Sequence, residues 1–245
     1  MASSANTPVI LLPPSEGKAQ GGEGLSWKPA TMAFDLDADR ELALRAAFGA
    51  KAGALLAAPT MPAIERYSGV LYKELSYATL TKPLRTRVDK QVLIFSGLWG
   101  LVAPQDPIPY YKLKMSASAG KLGKLATWWR PRIAPVLDTF VAGRTVWDLL
   151  PNEHLAAWPV SEAPALRIRA KFLDEVQTGR TVSFKTVSHW NKLLKGSLVR
   201  YVVAHQATDV AGLRAFSHPE GYVLRPELTE SNGGFTTVAF VKPAQ

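Results

Sequence analysis

The chain contains no cysteine, which excludes a disulfide framework and any cysteine-based zinc, iron-sulfur or nucleophile site. Histidine is scarce: the four at positions 154, 189, 205 and 218 have no metal-ligand spacing, and neither His-Glu-x-x-His nor Gly-x-Ser-x-Gly occurs. No metal and no cofactor is expected. Glu16-Gly17-Lys18 is not a phosphate-binding P-loop, because Ala19 lacks the magnesium-binding hydroxyl and Leu12 stands where that loop needs its first Gly. Long apolar runs are lacking too. Val9-Ile10-Leu11-Leu12 stops at Pro13-Pro14 and no later run approaches about 18 residues, so neither a signal segment nor a membrane span is expected. A cytoplasmic monomer without membrane contact is the expectation.

Two windows lack acid altogether. Residues 107–137 hold Lys112, Lys114, Lys121, Lys124, Arg130 and Arg132, and residues 176–208 hold Arg180, Lys185, Lys192, Lys195 and Arg200. Against 29 bases and 20 acids in all, these two windows carry the whole positive excess of +9. Such clustering is the electrostatic footprint of a phosphate-binding surface, although solvated faces pointing different ways would produce the same count.

What is present is an ordinary globular composition, 47% hydrophobic and 20% charged over 245 residues. Residues 1–245 are read as one domain, with residues 1–7 expected to be disordered and order beginning at a strand over Val9 to Leu12. Asp35-Leu36-Asp37-Ala38-Asp39 opens a helix, its acids complementing the helix dipole; Arg40 and Ala46 stand where a calcium loop needs Gly and Glu. A helical stretch over 63–79, a buried strand Val92 to Phe95, a helix over 121–140 and a strand over 145–150 follow. Strict alternation from Leu166 to Phe172, with Arg167, Arg169 and Lys171 opposite, predicts a half-buried antiparallel strand with a basic outer face and a return strand over 181–184. Further strands are expected at 221–224 and 235–241. The fold class is therefore mixed α/β, a central mixed sheet with flanking helices.

The segment 187–201 carries the most information. On one helix Trp190, Leu194, Leu198 and Tyr201 share a face, while Lys192 lies opposite, flanked by His189, Lys195 and Arg200. Gly196 costs about 1 kcal/mol in a helix interior and falls on the basic side, where it would admit a phosphate backbone or break the segment into a helix-hairpin-helix.

Lys192, Lys195, Gly196 and Arg200 resemble in order and spacing a lysine/arginine-Gly segment of the YaaA peroxide-stress family, and Ser188-His189-x-Asn191-Lys192 is similar to its actinobacterial branch. Leu12 to Lys18, Tyr67 to Tyr72, Ser96 to Gly100 with Pro104, Asp106, Tyr111 and Met115, Phe172 to Glu175, and Glu220 to Tyr222 agree as well. The resemblance implies a compact fold with a helix-hairpin-helix-like basic element, binding of double-stranded DNA, and survival of hydrogen peroxide by limiting iron-driven damage. On it, His189, Asn191, Lys192, Lys195, Gly196 and Arg200, joined by the neighbouring base Lys185, are the expected DNA-binding residues, contacting phosphate with little sequence preference. Arg167, Arg169 and Lys171 would extend that surface. Ala103 stands where the family has Arg, which removes a bidentate anion clamp that Lys112 does not replace.

The rival reading is an enzyme acting on a nucleotide or nucleobase-type small molecule. Ser15, Glu16, Lys18, Tyr72, Ser96, Asp106, Asn152 and Glu153 lie in or near strand-end loops, and their convergence in one cleft would mark an active site.

Overall fold

A computed structural model of the chain describes residues 7–244, with the side chains of residues 188–190 outside the described set. Among the described residues the elements are β1 (Val9–Leu12), β2 (Gly24–Ser26), α1 (Asp37–Phe48), α2 (Ala52–Ala57), β3 (Pro59–Pro62), α3 (Ala63–Arg66), α4 (Val70–Leu75) and α5 (Lys82–Gln91). They continue with β4 (Val92–Ser96), β5 (Gly100–Val102), β6 (Pro107–Pro109), α6 (Leu125–Val141), β7 (Thr145–Asp148), β8 (Leu166–Thr178) and β9 (Thr181–Thr186). The last are α7 (Ser188–His205), β10 (Val223–Leu224), β11 (Glu230–Asn232) and β12 (Phe235–Lys242).

The all-apolar runs become the middle of the sheet. β1 and β4 are buried along their whole length, as expected of strands covered on both faces. Five strands run parallel in the order β12-β8-β7-β1-β4, and β5, β9, β10 and β11 add antiparallel to make nine. In register, Leu11 lies opposite both Leu93 and Asp148, and Asp148 opposite Arg169. β2, β3 and β6 form a separate antiparallel sheet of three strands. The mixed α/β class expected from the sequence is what the chain adopts.

Topology places a site. β1 is followed in the parallel sheet by β4 on one side, and the next parallel strand, β7, lies on the other side of β1 before β8 and β12 continue outward. The chain reverses direction across the sheet between β1 and β7, and a crevice outside the carboxyl ends of such a pair is where open α/β sheets bind ligands. The loops leaving that point are residues 13–18 and 149–155.

Several expectations change. The stretch over 63–79 is broken into α3, α4 and a 3-10 turn over Tyr77–Thr79. β8 is not an antiparallel strand with a solvated basic face: it lies between β7 and β12, parallel to both, and only its C-terminal half pairs antiparallel with β9. Alternation reports which residues share a face, not which direction the neighbours run. Arg167 is accordingly buried, and Lys171 pairs with Glu230 at 2.9 Å. The segment around Gly196 forms one uninterrupted helix, α7, in place of a helix-hairpin-helix. Residues 1–6 lie outside the described set, while the carbonyl of Thr7 accepts from Arg144 Nε at 2.9 Å.

Candidate functional site

The loop after β1 is held to the segment after α3 by backbone. Ser68 N donates to the carbonyl of Gly17 at 3.0 Å, Ala19 N to that of Arg66 at 2.8 Å, and Lys18 forms a bridge with Tyr67. Ser15 is buried and its hydroxyl donates to the carbonyl of Gly17 at 2.7 Å. A side chain at Gly69 would strike that hydroxyl, its Cβ falling 2.3 Å away. Tyr72, buried beside it, donates to the carbonyl of Pro13 at 2.7 Å. Pro13-Pro14 at the strand end therefore opens a loop whose shape is fixed from three sides.

Lys18 lies along this loop with its amine donating to the carbonyl of Ser15 at 2.7 Å, 4.4 Å from the centroid of the Tyr111 ring and 5.4 Å from that of Tyr67. Burial pushes the amine down to about 8, a fall that Glu16 opposes and Arg66 and Lys112 reinforce. Beside it runs a chain of buried hydroxyls. Ser96 Oγ accepts the backbone N–H of Trp99 at 2.9 Å and lies 2.7 Å from Tyr111 Oη, which lies 2.7 Å from Tyr67 Oη. Desolvation pushes the Tyr111 phenol up to about 12 and Tyr67 well above its ordinary value, so both stay protonated.

The loop after β7 presents a second group of buried polar side chains. Asp148 Oδ2 accepts from Arg167 Nη2 at 2.9 Å, and Oδ1 accepts the N–H of Leu150 at 3.0 Å, which turns the chain at the strand end. Arg169 donates to the carbonyl of Leu150 at 2.9 Å and to Asn152 Oδ1 at 3.1 Å. From α7, Lys195 donates to the carbonyl of Leu149 at 2.9 Å; burial brings its amine down to about 8 although Asp148 opposes this. His154 is enclosed between Phe95 and this loop, 2% exposed, and neither ring nitrogen has a hydrogen-bond partner among the described residues.

Burial, then the nearby Lys195, pushes the His154 imidazole down to about 4. The folded state keeps it neutral while an unfolded chain protonates it near 6.5, so the stability it contributes is complete above about pH 6.5 and is lost as pH falls toward 4. The expected loss is on the order of 3 kcal/mol. Urea unfolding across this range checks it: His154→Leu should flatten the acid limb relative to wild type, and an unchanged limb would assign the acid sensitivity to other groups.

Charge collects at the rim. Glu16 pairs with Lys114 at 2.7 Å, and that hydrogen bond, with the fields of Lys114, Lys192 and Lys18, holds its carboxyl below the ordinary value. Lys114 in turn feels Glu153 from the loop after β7. Lys114 from the first acid-free window thus contacts the loop after β1, and the charges of Lys112 from that window and Lys192 from the second act on it through space. Periodicity within either window could not show this, since the pairing is between segments far apart in the chain.

The structure brings Ser15, Glu16, Lys18, Tyr72, Ser96, Asn152 and Glu153 to the carboxyl edge of the sheet. It does not bring Asp106. That carboxylate is buried and spent on the backbone N–H groups of Ala33 and Ala103, both at 2.8 Å. Among the expected DNA contacts, Lys185 and Lys192 are exposed, and His189 belongs to the residues whose side chains are outside the described set. Asn191 Oδ1 is buried with no partner among the described residues. Lys195 is committed to Leu149, and Arg200 donates to the carbonyl of Leu75 at 2.7 Å, closing the end of α4. Gly196 is buried against α4, not open to a phosphate: a Cβ there would fall 2.4 Å from the carbonyl oxygen of Leu71. Sequence reasoning missed the Tyr67–Tyr111–Ser96 chain and Asp148 as a hub; the only signal for the first was a phenol and a hydroxyl next to strand-end glycines.

Two open grooves, of about 590 and 600 Å³, lie elsewhere, one at the small sheet and one between residues 160–167 and 231–236. The first is lined by Glu23 and Glu65 without a base among its described lining residues. Neither gathers the perturbed groups described above. Among the described residues no helix is long and apolar enough to cross a membrane.

Comparison with known proteins agrees with the motif resemblance. The profile of the family described as Peroxide stress protein YaaA matches residues 10–228. A UPF0246 protein of Streptomyces coelicolor is 35% identical over 221 residues, covering 80% of this chain and 83% of that protein. One from Corynebacterium glutamicum is 33% identical over 235 residues, covering 84% and 91%. One from Methylibium petroleiphilum is 32% identical over 178 residues, covering 71% and 67%.

Proposed function

Because this chain belongs to the YaaA peroxide stress protein family, we propose that it acts in the response to hydrogen peroxide through an anion-binding cleft at the carboxyl edge of its parallel sheet, and that the cleft takes a nucleotide-class phosphate. The observation that carries this reading is the pairing of Lys114 with Glu16 at the β1/β7 reversal, with the charges of Lys112 and Lys192 acting on the same loop. Cations with low-dielectric walls beside them concentrate an anionic ligand. The buried hydroxyls of Tyr67, Tyr72, Tyr111 and Ser96 give the same place the fixed polar groups that orient a small molecule. In this reading the protein serves to limit iron-driven oxidative damage.

Duplex DNA is the second reading, favoured by the exposure of Lys185, Lys192, Lys112 and Lys114 and by the net charge of +9. Its anchor cannot be the set Lys195, Gly196 and Arg200 as they stand, since all three are engaged inside the protein. Backbone contacts by exposed lysines would give a steep salt dependence.

One experiment separates the two. A thermal-shift screen of nucleoside mono-, di- and triphosphates is run beside a salt series with a labelled duplex of about 20 base pairs. At a ligand concentration near 100 Kd the expected stabilisation is about 2.7 kcal/mol, roughly 5–10 °C for a chain of this size. Lys114→Ala with Lys192→Ala should weaken nucleotide binding at least about tenfold. No nucleotide shift, together with tight duplex binding that falls steeply with salt and is lost on Lys185→Ala with Lys192→Ala, would replace the first reading by the second.

A further inference from the structure

We propose that Lys18 is a covalent nucleophile: its amine forms an imine with the aldehyde or ketone carbon of a phosphate-bearing ligand held in the cleft, a deepening that rests on the phosphate-binding reading above. The placement of the amine is what distinguishes it from the other bases at this edge. Lys114 spends its charge on Glu16, and Lys195, half-buried with its amine on the carbonyl of Leu149, has no aromatic face beside it among the described residues. Lys18 is half-buried, forms no ion pair within 4.0 Å among the described residues, and is held by one carbonyl and two aromatic faces. One of its hydrogens goes to Ser15, so its orientation is fixed while its nitrogen lone pair, once the amine is neutral, stays uncommitted.

Buried hydroxyls line the same place. Ser96 Oγ accepts N–H groups from Trp99 at 2.9 Å and Leu98 at 3.3 Å, and the hydroxyls of Ser96, Tyr111 and Tyr67 follow one another at 2.7 Å. The buried rings of Tyr67 and Tyr111 are the two aromatic faces against which the Lys18 amine lies.

The step balances. The lone pair of Nζ adds to the carbonyl carbon, the C=O π pair moves to oxygen, and that oxygen gains a proton to give a carbinolamine. Nitrogen releases one proton as the carbinolamine forms; the carbinolamine oxygen then takes a second proton, the C–O bond breaks and one water leaves as the nitrogen lone pair forms C=N, and the second N–H proton goes to Glu16 or to water. No oxidant or reductant is needed. Radical attack on a sugar phosphate generates carbonyl fragments that keep their phosphate, so the ligand class is one that peroxide chemistry produces. The groups facing the amine are Glu16, Arg66 and Lys112, with the rings of Tyr67 and Tyr111; burial outweighs Glu16 and leaves the amine near 8. At pH 7 about 10% of such an amine is neutral, against less than ~0.1% of an ordinary lysine.

The test is reductive trapping on the full chain. Glyceraldehyde 3-phosphate, glyceraldehyde, and a duplex with one abasic site are each incubated with the protein and cyanoborohydride, and adducts are mapped by peptide mass spectrometry across pH 6–11. The expected adduct is on Lys18, at least about tenfold above Lys114 and Lys192, with a pH midpoint near 8. Labelling scattered over exposed lysines with a midpoint near 10.5, or no adduct on Lys18, overturns the inference; a nucleotide-induced thermal shift retained in that case leaves the phosphate reading standing. Equal labelling by glyceraldehyde and its phosphate keeps the nucleophile and overturns the phosphate reading. Trapping of the abasic duplex alone names nucleic acid as the source, and trapping of the sugar phosphate alone names a free metabolite. Lys18→Arg, which keeps charge and stem, should lose the adduct with an unchanged melting curve. Since mapping on the wild type already decides the question, a misfolded variant does not blunt it.

Discussion

Asp148→Ala is expected to lower the unfolding free energy by about 3–5 kcal/mol, because it leaves a guanidinium buried without its counter-charge. The side chains of Arg167 and Asp148 are 1% and 0% exposed. Arg167 gives Nη2 and Nε to Asp148 Oδ2 at 2.9 and 3.2 Å and Nη1 to the carbonyl of Pro159 at 2.7 Å, with its plane 3.7 Å from the centroid of Trp158. Even beside the carboxylate, burial wins and pulls the Arg167 guanidinium below its ordinary value. The pair is therefore costly to assemble and far costlier to break on one side. The double variant Asp148→Ala, Arg167→Met should recover most of the loss, since a desolvated pair and an apolar replacement of similar volume are often nearly equal in stability. Urea unfolding of the two singles and the double, as a mutant cycle, measures this. A loss under about 1 kcal/mol for Asp148→Ala would mean that water reaches the pair.

Gly196→Ala should destabilise by about 1–3 kcal/mol, although at an open helical position the same change gains about 1 kcal/mol. The reversal comes from the crossing of α7 on α4. A Cβ at 196 would lie 2.4 Å from the carbonyl oxygen of Leu71, 2.7 Å from Glu74 Cβ and 3.0 Å from the N of Leu75. Backbone atoms at that range do not yield as a side-chain tip does. Ser197 Oγ donates to Glu74 Oε1 at 2.6 Å, and Arg200 to the carbonyl of Leu75, so the helices are also pinned on either side of the contact. Gly196→Val should cost more than Gly196→Ala by the same mechanism. A stabilised Gly196→Ala protein would show that the helices separate without cost, and would return this glycine to the role of an exposed phosphate-access point.

The apolar runs were the legible part. Val9–Leu12, Val92–Ser96 and Thr145–Asp148 are strands where the sequence places them, because short apolar, β-branched-rich runs bounded by turn signals are too short for a helix and suit a doubly covered strand. The long helix over 125–141 and the terminal strand over 235–242 are likewise where expected, with small shifts at their ends. β8 was legible as a strand and not as a parallel one. Its arginines read as an outer face because hydropathy treats every arginine as solvated, whereas Arg167 is buried with a partner from β7. Gly196 has no side chain and so casts no vote in a hydrophobic pattern; its burial is decided by α4, more than a hundred residues earlier in the chain.

The sequence by itself determined the family, through motifs in matching order over most of the chain, together with the element types and the excess of positive charge. These are local properties, readable from residue identity and spacing. Which bases are free and which are spent was decided only by tertiary structure. Lys195, Arg200 and Arg167 are satisfied by carbonyls and a carboxylate on distant elements, Lys114 pairs with Glu16 at the surface, and Lys112 and Lys192 are left exposed beside the loop after β1. The reason is that a charge is committed or available according to its nearest neighbours in space, and here those neighbours come from the ends of strands that the sheet order brings together.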